Sequence, residues 1–366
     1  NTATWDITPT QLYTYRGCLI EEARTNLLAY SSEFDNAYWT KSLVTVTANA
    51  TTAPYGTLTA DKLVSISGAS FGIYNSVALT SGSHTSSVYA KDSGMGYIKL
   101  SWGGEANDTD YAIFNLSNGT ITGGVYAGAN IIDIGDGWYR CSITSTIATS
   151  STSVYYFLSD GTLSKGSSVA GDGTSGIYIW GAQLEAASAA SSYIPTTTAA
   201  VTRNADVLSY DTANWYADGQ AGTMQVDADL TYATLSGNRF IASLYGTPPE
   251  RIQMAMINNQ ARLFLGAGGV LANYSSLGTK AKGGSVRGSI GWDLNNVGST
   301  IDTYSGVLVD TSSAIPTGIT KLVVGHYDGG VGDYYHNGCV LNIIYYQKRL
   351  ANSVLEANSA REYSND

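Results

Sequence analysis

The sequence predicts an all-β protein made of two consecutive antiparallel domains and a short C-terminal helix. Short runs rich in Val, Ile, Thr, Tyr and Ser are broken about every 8 to 12 residues by Gly, Asn, Asp or Ser, which is typical of a β-sandwich or barrel. Helical periodicity is almost absent. A chain of 366 residues also exceeds the length that one hydrophobic core usually serves, and this favours two domains.

Alternation of apolar and polar residues marks the strands of the first half. In the run Tyr97–Trp102 every second residue is apolar, as expected for an antiparallel strand with one buried face. The same argument predicts strands at 71–79, 113–116, 138–143, 154–158 and 177–184.

A change of composition marks the boundary between the domains. Residues 186–200 are mostly Ala, Ser and Thr, with no pattern that would bury one face. We therefore predict a connecting segment at 1–28, a first domain at 29–200, a linker at 201–213 and a second domain at 214–366. Strand-like runs in the second domain lie at 222–232, 239–245, 252–257, 262–265, 288–292, 321–325 and 340–346.

One helix is predicted near the C-terminus. Asn352 or Ser353 can act as its N-cap, since both side chains can accept a hydrogen bond from the first turn. Val354, Leu355 and Asn358 then share one side of the helix. We expect this helix to pack against the edge of a sheet.

Charge and cysteine content exclude several classes of partner. The formal net charge is −10 and the 19 basic residues are scattered, so the sequence predicts neither a nucleic-acid partner nor a membrane surface. No apolar run approaches the ~18 residues that span a bilayer, so no membrane insertion is expected.

Cys18, Cys141 and Cys339 are predicted to be small buried residues rather than a disulfide framework. The absence of an initiator Met and of a signal sequence predicts a fragment of a longer protein.

Catalytic motifs are few and lie in the wrong structural context. Gly68–Gly72 matches the Gly-x-Ser-x-Gly string of serine hydrolases, but a strand follows it where that motif requires a helix. Gly171–Gly176 matches a dinucleotide fingerprint, yet it also leads into a strand. We therefore predict no catalytic residue and no cofactor, and a binding protein rather than an enzyme.

Acidic residues offer two further hypotheses. Asp108 with Asp110, and Asp227 with Asp229, have the spacing that would suit a glycoside hydrolase, but solvated strand or loop charges explain them as well. Oxygen-rich loops could hold a structural calcium ion, and turn chemistry is the alternative explanation for them. These loops lie at 133–137, 293–296 and 328–333.

The aromatic composition suggests carbohydrate binding. The chain has 27 Tyr but only 6 Phe. A tyrosine can place its ring on the C–H face of a sugar and its hydroxyl against the sugar hydroxyls. Strands also favour Tyr because it suits a half-buried surface, so each position has a structural explanation too. The candidate carbohydrate-binding residues are Tyr74, Tyr97, Lys99, Tyr111 and Tyr126 in the first domain, and Tyr327, Asp328, Asp333, Tyr334 and His336 in the second.

Several motifs occur in order across residues 17–208, and together they resemble a module of tail fibres and other tail proteins of tailed bacteriophages. The motifs are Glu22–Leu28, Phe34–Lys41, Thr57–Leu63, Gly137–Arg140, Ile177–Glu185, Ser192–Thr196 and Val201–Asp206. The resemblance implies a jelly-roll β-sandwich of the carbohydrate-binding-module kind. Trp39, Trp138 and Trp180 lie in these motifs, which suggests that they pack in the interior rather than contact a ligand.

Looser motifs in the second half are similar to a concanavalin-like or laminin-G-like jelly roll. They lie at Gly222–Thr223, Gln260–Arg262, Ile315–Gly318 and Tyr345–Leu350. The two resemblances together imply two consecutive antiparallel β-sandwich (jelly-roll) domains.

The resemblance implies a function as well as a fold. It implies the distal, receptor-binding part of a phage tail fibre or spike, which binds a bacterial surface polysaccharide (capsule or lipopolysaccharide) during host adsorption. It also implies a homotrimer that is attached to upstream tail or baseplate proteins, made in the host cytoplasm and carried in the virion tail. One alternative is a spacer or trimerisation module without a glycan site. A second is a capsule depolymerase, although the β-helix typical of such enzymes needs repeats of about 20 to 25 residues, which we do not find.

Overall fold

Antiparallel strands are the main secondary structure of the computed structural model, and a short helix lies near the C-terminus. The structure describes residues 17–66, 68–103, 111–124, 128–148, 151–161, 169–230, 238–279, 284–302, 307–326 and 334–360. The chain divides into two compact units, one of residues 23–204 and one that joins the residues before 23 to residues 205–366. We call them the N-terminal and the C-terminal sandwich. The predicted class, all-β with two antiparallel sandwiches and a short C-terminal helix, is confirmed.

The structure contains 28 strands and one helix in its described residues. Up to residue 204 the strands are β1 (Cys18–Ile20), β2 (Arg24–Asn26), β3 (Thr40–Ser42), β4 (Val44–Thr51), β5 (Ala60–Ser65), β6 (Gly68–Ser70), β7 (Gly72–Ala78), β8 (Gly82–Ser93), β9 (Tyr97–Trp102), β10 (Tyr111–Asn115), β11 (Thr120–Gly124), β12 (Ala129–Gly135), β13 (Trp138–Ile147), β14 (Ser151–Ser159), β15 (Val169–Gly171), β16 (Gly176–Glu185) and β17 (Val201–Arg203). After residue 204 they are β18 (Leu208–Asp211), β19 (Gly222–Asp229), β20 (Asn238–Tyr245), β21 (Arg251–Ile257), β22 (Gln260–Ala267), β23 (Val270–Thr279), β24 (Ser285–Trp292), β25 (Val297–Ile301), β26 (Leu308–Asp310), β27 (Lys321–Val324), β28 (Gly338–Tyr346) and the helix α1 (Asn352–Ser359).

The N-terminal sandwich packs two six-stranded sheets face to face. Sheet I has the strand order β11-β10-β9-β14-β7-β3, and sheet II has the order β12-β13-β8-β16-β5-β4. Inward side chains of both sheets, such as Leu100 and Tyr156 from sheet I and Leu63 and Ile177 from sheet II, are completely buried in one cluster. Removing this apolar surface from water is the main force that holds the two sheets together.

The C-terminal sandwich repeats this arrangement. Sheet III has the strand order β1-β28-β19-β24-β25-β26, and sheet IV has the order β18-β27-β20-β21-β22-β23. Met224, Ile290 and Trp292 from sheet III meet Ile241 and Leu263 from sheet IV in a second buried cluster. Each unit therefore has its own hydrophobic core, as expected for two domains.

The segments predicted to connect the domains contain short strands. Leu19 of β1 pairs with Cys339 of β28, so the chain before residue 23 adds an edge strand to sheet III. In the predicted linker, Thr202 of β17 pairs with Thr25 of β2, and β18 pairs with β27. Strands of three or four residues are too short for alternation to reveal them, but pairing satisfies their backbone N–H and C=O groups.

The C-terminal helix exists where it was predicted, but two details of that prediction are wrong. The N-cap is Ala351, whose methyl side chain cannot accept a hydrogen bond, and the Asn352 carboxamide oxygen accepts one from the Arg349 guanidinium instead. The helix packs on the inner strands β24 and β25 of sheet III rather than on a sheet edge. Leu355 and Ser359 are the side chains that it buries there.

Among the described residues, no helix has both the length and the apolar character needed to cross a membrane.

Candidate functional site

The outer face of sheet I carries four of the predicted carbohydrate-binding residues. Strand β9 turns Ile98 and Leu100 into the core, so Tyr97 and Lys99 point to the opposite side. The neighbouring strands place Tyr111 and Tyr74 on this same outer side, and all four side chains are half-buried. Strand alternation therefore collects on one face residues that are as many as 37 positions apart in the chain, from 74 to 111.

The strand register sets which of these side chains are neighbours. Lys99 lies opposite Phe157 across β9 and β14. Tyr155, two residues from Phe157 on the same strand, lies opposite Tyr74 of β7. Tyr111 of β10 lies opposite Ser101, within diagonal reach of Lys99.

These side chains form a continuous row of flat groups. The ring centroids of Tyr74 and Tyr155 are 4.8 Å apart with an interplanar angle of 25°. Those of Tyr155 and Phe157 are 5.0 Å apart at 24°. The ammonium nitrogen of Lys99 lies 5.5 Å from the centroid of the Phe157 ring and 4.9 Å from that of the Tyr111 ring. We call the row Tyr111, Lys99, Phe157, Tyr155 and Tyr74 the aromatic column.

The column offers ring edges and hydroxyl groups rather than ring faces. At these distances and angles the rings of Tyr74, Tyr155 and Phe157 are offset-stacked, so their faces contact one another. Lys99 occupies the next position and makes a cation–π contact with the ring on either side of it. Phe157, in the middle, is only 5% exposed, while Tyr74, Tyr155 and Tyr111 are half-buried. The expected contact through a broad aromatic face is therefore restricted to the two ends of the column.

Polar groups continue the same face beside the column. The hydroxyls of Ser76 and Ser153, which lie two residues from Tyr74 and Tyr155 on β7 and β14, are 2.7 Å apart. Tyr97 lies on the other side, where its hydroxyl accepts a hydrogen bond of 3.2 Å from the Asn115 side-chain amide. Gly161 packs against the Tyr97 ring, and a Cβ at Gly161 would lie 2.9 Å from that ring. A ligand on this face would thus meet hydroxyl groups over a width of several strands.

Of the remaining predicted site residues, the structure describes Tyr334 and His336. Tyr334 packs edge-on against Phe240, with ring centroids 6.0 Å apart, and is half-buried. Tyr126, Tyr327, Asp328 and Asp333 lie outside the described residues.

His336 was predicted as a ligand contact, and this prediction is wrong because the side chain is 0% exposed. Its backbone N–H donates a 2.7 Å hydrogen bond to the carbonyl of Gly325, and its ring lies against Gly338 at the start of β28. Burial lowers the pKa of His336 to about 4. The imidazole is therefore neutral at pH 7 and sealed from solvent.

Two column residues, Tyr155 and Phe157, were missed at the sequence level. The sequence does contain an alternating pattern here: Tyr155 and Phe157 alternate with Val154, Tyr156 and Leu158, which the structure buries in the core. The run 154–158 is aromatic on both faces, so composition did not reveal which residues face the core. Register with β9 is what identifies the outer face.

Two of the acidic candidates, Asp227 and Asp133, have structural roles. Asp227 forms a 2.6 Å ion pair with Arg287, and both side chains are nearly buried. Asp133 accepts a hydrogen bond from the backbone N–H of Gly135, as expected for turn chemistry. In the described parts of the chain, no group of three or more His, Cys, Asp or Glu side chains could hold a metal ion. Asp108, Asp110 and the loop 328–333 fall outside those parts.

Comparisons with known proteins give similarities of fold. The chain is similar to the CBM40 of a Ruminococcus gnavus IT-sialidase bound to α2,3-sialyllactose, with 12% identity, a TM-score of 0.34, and 39% of this chain and 84% of that chain covered. It is similar to domains LG4-5 of the mouse laminin α1 chain, with 13% identity, a TM-score of 0.30, and 78% of this chain and 88% of that chain covered. No family model and no curated protein matches the sequence. At such low identity the likeness concerns the fold alone.

Proposed function

We propose that this chain is a glycan-binding module of a bacteriophage tail fibre or spike, and that it binds a bacterial surface polysaccharide during host adsorption. The observation that carries the proposal is the aromatic column on the outer face of sheet I. Its half-buried tyrosines and Lys99 combine hydroxyl groups and an ammonium group on one side of a rigid sheet. Hydroxyl groups both donate and accept hydrogen bonds, so they complement the hydroxyls of a sugar. The ordered tail-protein motifs in residues 17–208 support the phage context.

The proposal covers binding without turnover, in the tail of the virion. Capsule and lipopolysaccharide are the candidate ligands, and upstream tail or baseplate proteins are the attachment partners. In this proposal the chain works as a homotrimer, because several copies would offset weak affinity at each site through multivalency.

A spacer without its own glycan site is the second candidate. The observation that favours it is that the stacked rings of the column already contact one another, which also makes them a way of stabilising the sheet. In that case, changes in the column would alter stability but not adsorption.

Replacing the central tyrosine distinguishes these two functions. We expect Tyr155→Ala to lower the affinity for host polysaccharide by about tenfold, because it removes the ring that joins Tyr74 to Phe157. The measurement is binding of the purified protein to host cells and to purified capsule and lipopolysaccharide from a panel of strains. Its matched control is Tyr55→Ala, which removes a 56% exposed tyrosine from the other side of the same sandwich.

Three experimental results would contradict the proposal. Wild-type protein that neither binds any host glycan nor competes with phage adsorption would leave the spacer as the better description. Release of reducing ends from the polysaccharide, or a halo on a bacterial lawn, would show a depolymerase instead. Equal binding by Tyr155→Ala, Tyr55→Ala and the wild type would show that the aromatic column is not the glycan-binding site.

A further inference from the structure

The C-terminal sandwich contains a cavity that the glycan proposal does not use. Its volume is about 260 Å³. It is lined by Tyr210, Trp215, Met224, Leu244, Leu322, Ile343 and Tyr345. We call it the inter-sheet slot, since its two walls come from the inner faces of sheets III and IV.

Strand register builds one wall of the slot from sheet IV. Leu322 of β27 lies opposite Leu244 of β20 on one side and opposite Tyr210 of β18 on the other. The three side chains therefore form one row across neighbouring strands. Leu244 is buried at the inner end of the row, and Tyr210, on the edge strand, is 54% exposed at the outer end.

The facing wall comes from sheet III. Met224 of β19 lies opposite Tyr345 of β28, and Ile343 lies two residues before Tyr345 on the same strand. Met224 is buried, whereas Ile343 and Tyr345 are half-buried. The slot is thus an open extension of the apolar core, with a buried inner end and an aromatic mouth.

The mouth is held in place by hydrogen bonds. The Trp215 indole N–H donates to the carbonyl of Asp211 at 2.7 Å, and the Gln347 side-chain amide donates to the carbonyl of Trp215 at 2.9 Å. The Trp215 ring stands edge-on to that of Tyr345, with centroids 5.7 Å apart. The Asp218 carboxylate also accepts hydrogen bonds from the backbone of Gly318 and Ile319, which fixes the following turn.

The lining selects for an apolar ligand. Away from the mouth, Met224, Leu244 and Leu322 offer no hydrogen-bonding group that could satisfy a buried hydroxyl, so a fully hydroxylated sugar would lose free energy there. An apolar cavity of about 150 Å³ already accommodates benzene in another protein. The 260 Å³ slot therefore has room for one ring and a substituent.

We propose that the inter-sheet slot binds an apolar group no larger than one substituted ring, with the polar end of the ligand at the Tyr210 and Trp215 mouth. Two sources have this chemistry: the ring of a free phenol-like aromatic compound, and the methyl group of a 6-deoxy or N-acetylated sugar, whose polar atoms would stay at the mouth. The second source rests on the proposed glycan function, whereas the first does not.

The test uses the full chain and small probes, so its result does not depend on finding the host glycan. The probes are p-cresol and the pairs N-acetylglucosamine with glucose and rhamnose with mannose. The readout is the NMR signal of the Trp215 indole N–H, assigned with Trp215→Phe. We expect a saturable shift with p-cresol or with the acetylated or deoxy sugar, and none with glucose or mannose.

Two variants relate the shift to the slot. Leu322→Phe adds volume to the wall and is expected to lower probe affinity by about tenfold or more by filling the cavity. Tyr210→Ala removes an exposed ring at the mouth and is expected to lower it about fivefold. Tyr55→Ala, with a similarly exposed tyrosine in the N-terminal sandwich, serves as the matched control and is expected to bind like the wild type.

Absence of a saturable shift with p-cresol and with both modified sugars would overturn the proposal. Equal binding by Leu322→Phe and the wild type would also overturn it, because the filled slot could not then be the site. Binding of p-cresol alone identifies a small aromatic ligand, and binding of a modified sugar in preference to its hydroxylated partner identifies the glycan source.

Discussion

The two outer faces of the N-terminal sandwich are both rich in aromatic side chains, but they use them in different ways. On sheet I the aromatic column keeps Tyr74, Tyr111 and Tyr155 half-exposed. On sheet II, Tyr89 and Trp180 are buried, and Tyr55 and Tyr193 pack against both of their rings. The same residue types therefore stabilise the fold on one face and stay accessible on the other.

Two segments cover this part of sheet II: the connection between β4 and β5, which carries Tyr55, and the segment that follows β16. Tyr193 lies over Trp180, with ring centroids 4.5 Å apart, and its hydroxyl is 2.6 Å from that of Ser31. Buried Asn26 holds this segment, since its side-chain amide donates to the carbonyls of Ala182 and Ile194. No described segment covers the column of sheet I in this way. The difference indicates that the covering segments, rather than aromatic content, decide which aromatic side chains stay accessible to solvent.

The largest expected effect is the loss of stability caused by replacing a buried aromatic residue on the covered face of sheet II. Trp180 is 5% exposed, contacts Tyr55, Tyr89 and Tyr193, and donates a hydrogen bond from its indole N–H to the Thr59 hydroxyl. We expect Trp180→Ala to lower the free energy of unfolding of the N-terminal sandwich by about 3–5 kcal/mol, because it leaves a cavity. Glycan binding below the unfolding transition should not change. The measurement is urea unfolding followed by circular dichroism.

Tyr155→Ala on the open face is the comparison for that variant. Its ring is only half-buried, so we expect a smaller loss of about 1–2 kcal/mol, together with the loss of binding described above. Equal losses of stability in the two variants would contradict the distinction between a covered and an open face.

The same distinction can be tested with pH in the C-terminal sandwich, where His336 is covered. Its folded-state pKa is lowered by burial to about 4, whereas an unfolded histidine titrates near 6.5. Stability from the neutral imidazole is thus fully present above about pH 6.5 and is lost as the pH falls towards 4. Asp229 favours the charged form and Arg239 disfavours it. We expect a loss of about 2 kcal/mol between pH 7 and pH 5.

Urea unfolding at the two pH values, for wild type and His336→Gln, measures this effect. Acidic side chains titrate in both proteins, so the difference between their pH dependences isolates the histidine. If the two proteins lose the same free energy on acidification, His336 does not have a depressed pKa in the folded state.

Sequence reasoning predicted strands well where one face is apolar and poorly where buried residues are polar. The run Tyr97–Trp102 was predicted, and it forms β9 with the expected buried face. The central strand β8 was not predicted, because His84, Thr85, Ser86 and Ser87 are buried yet polar. Their burial is supported by partners distant in sequence, such as Tyr156, whose hydroxyl is 3.0 Å from that of Ser86. A single sequence contains no local sign of such pairs.

The residues of the candidate site likewise fall into those that local sequence pattern predicted and those that only tertiary contacts reveal. Alternation placed Tyr97 and Lys99 on an outer face, but Phe157 and Tyr155 join the column only through register with β9 and β7. His336 was assigned to the surface from its polar neighbours in the sequence, whereas the turn into β28 buries it. Local pattern thus predicts the direction of a strand residue, and tertiary contacts decide whether that direction is covered.

The smallest expected effect is that of removing one hydroxyl group from the aromatic column. It tests whether the hydroxyl edge or the face of a ring contacts the glycan. Tyr74→Phe removes only a hydroxyl and preserves the stack with Tyr155, so the free energy of unfolding should change by less than about 0.5 kcal/mol. If the hydroxyl edge contacts the glycan, affinity should fall about three- to tenfold through the loss of one hydrogen bond. If the outer face of the Tyr74 ring contacts the sugar instead, Tyr74→Phe should bind like the wild type and only Tyr74→Ala should bind weakly. Calorimetric titration of both variants, with Tyr55→Phe as the control, distinguishes these cases. Wild-type affinity in both Tyr74 variants would show that this end of the column stabilises the sheet without contacting the ligand.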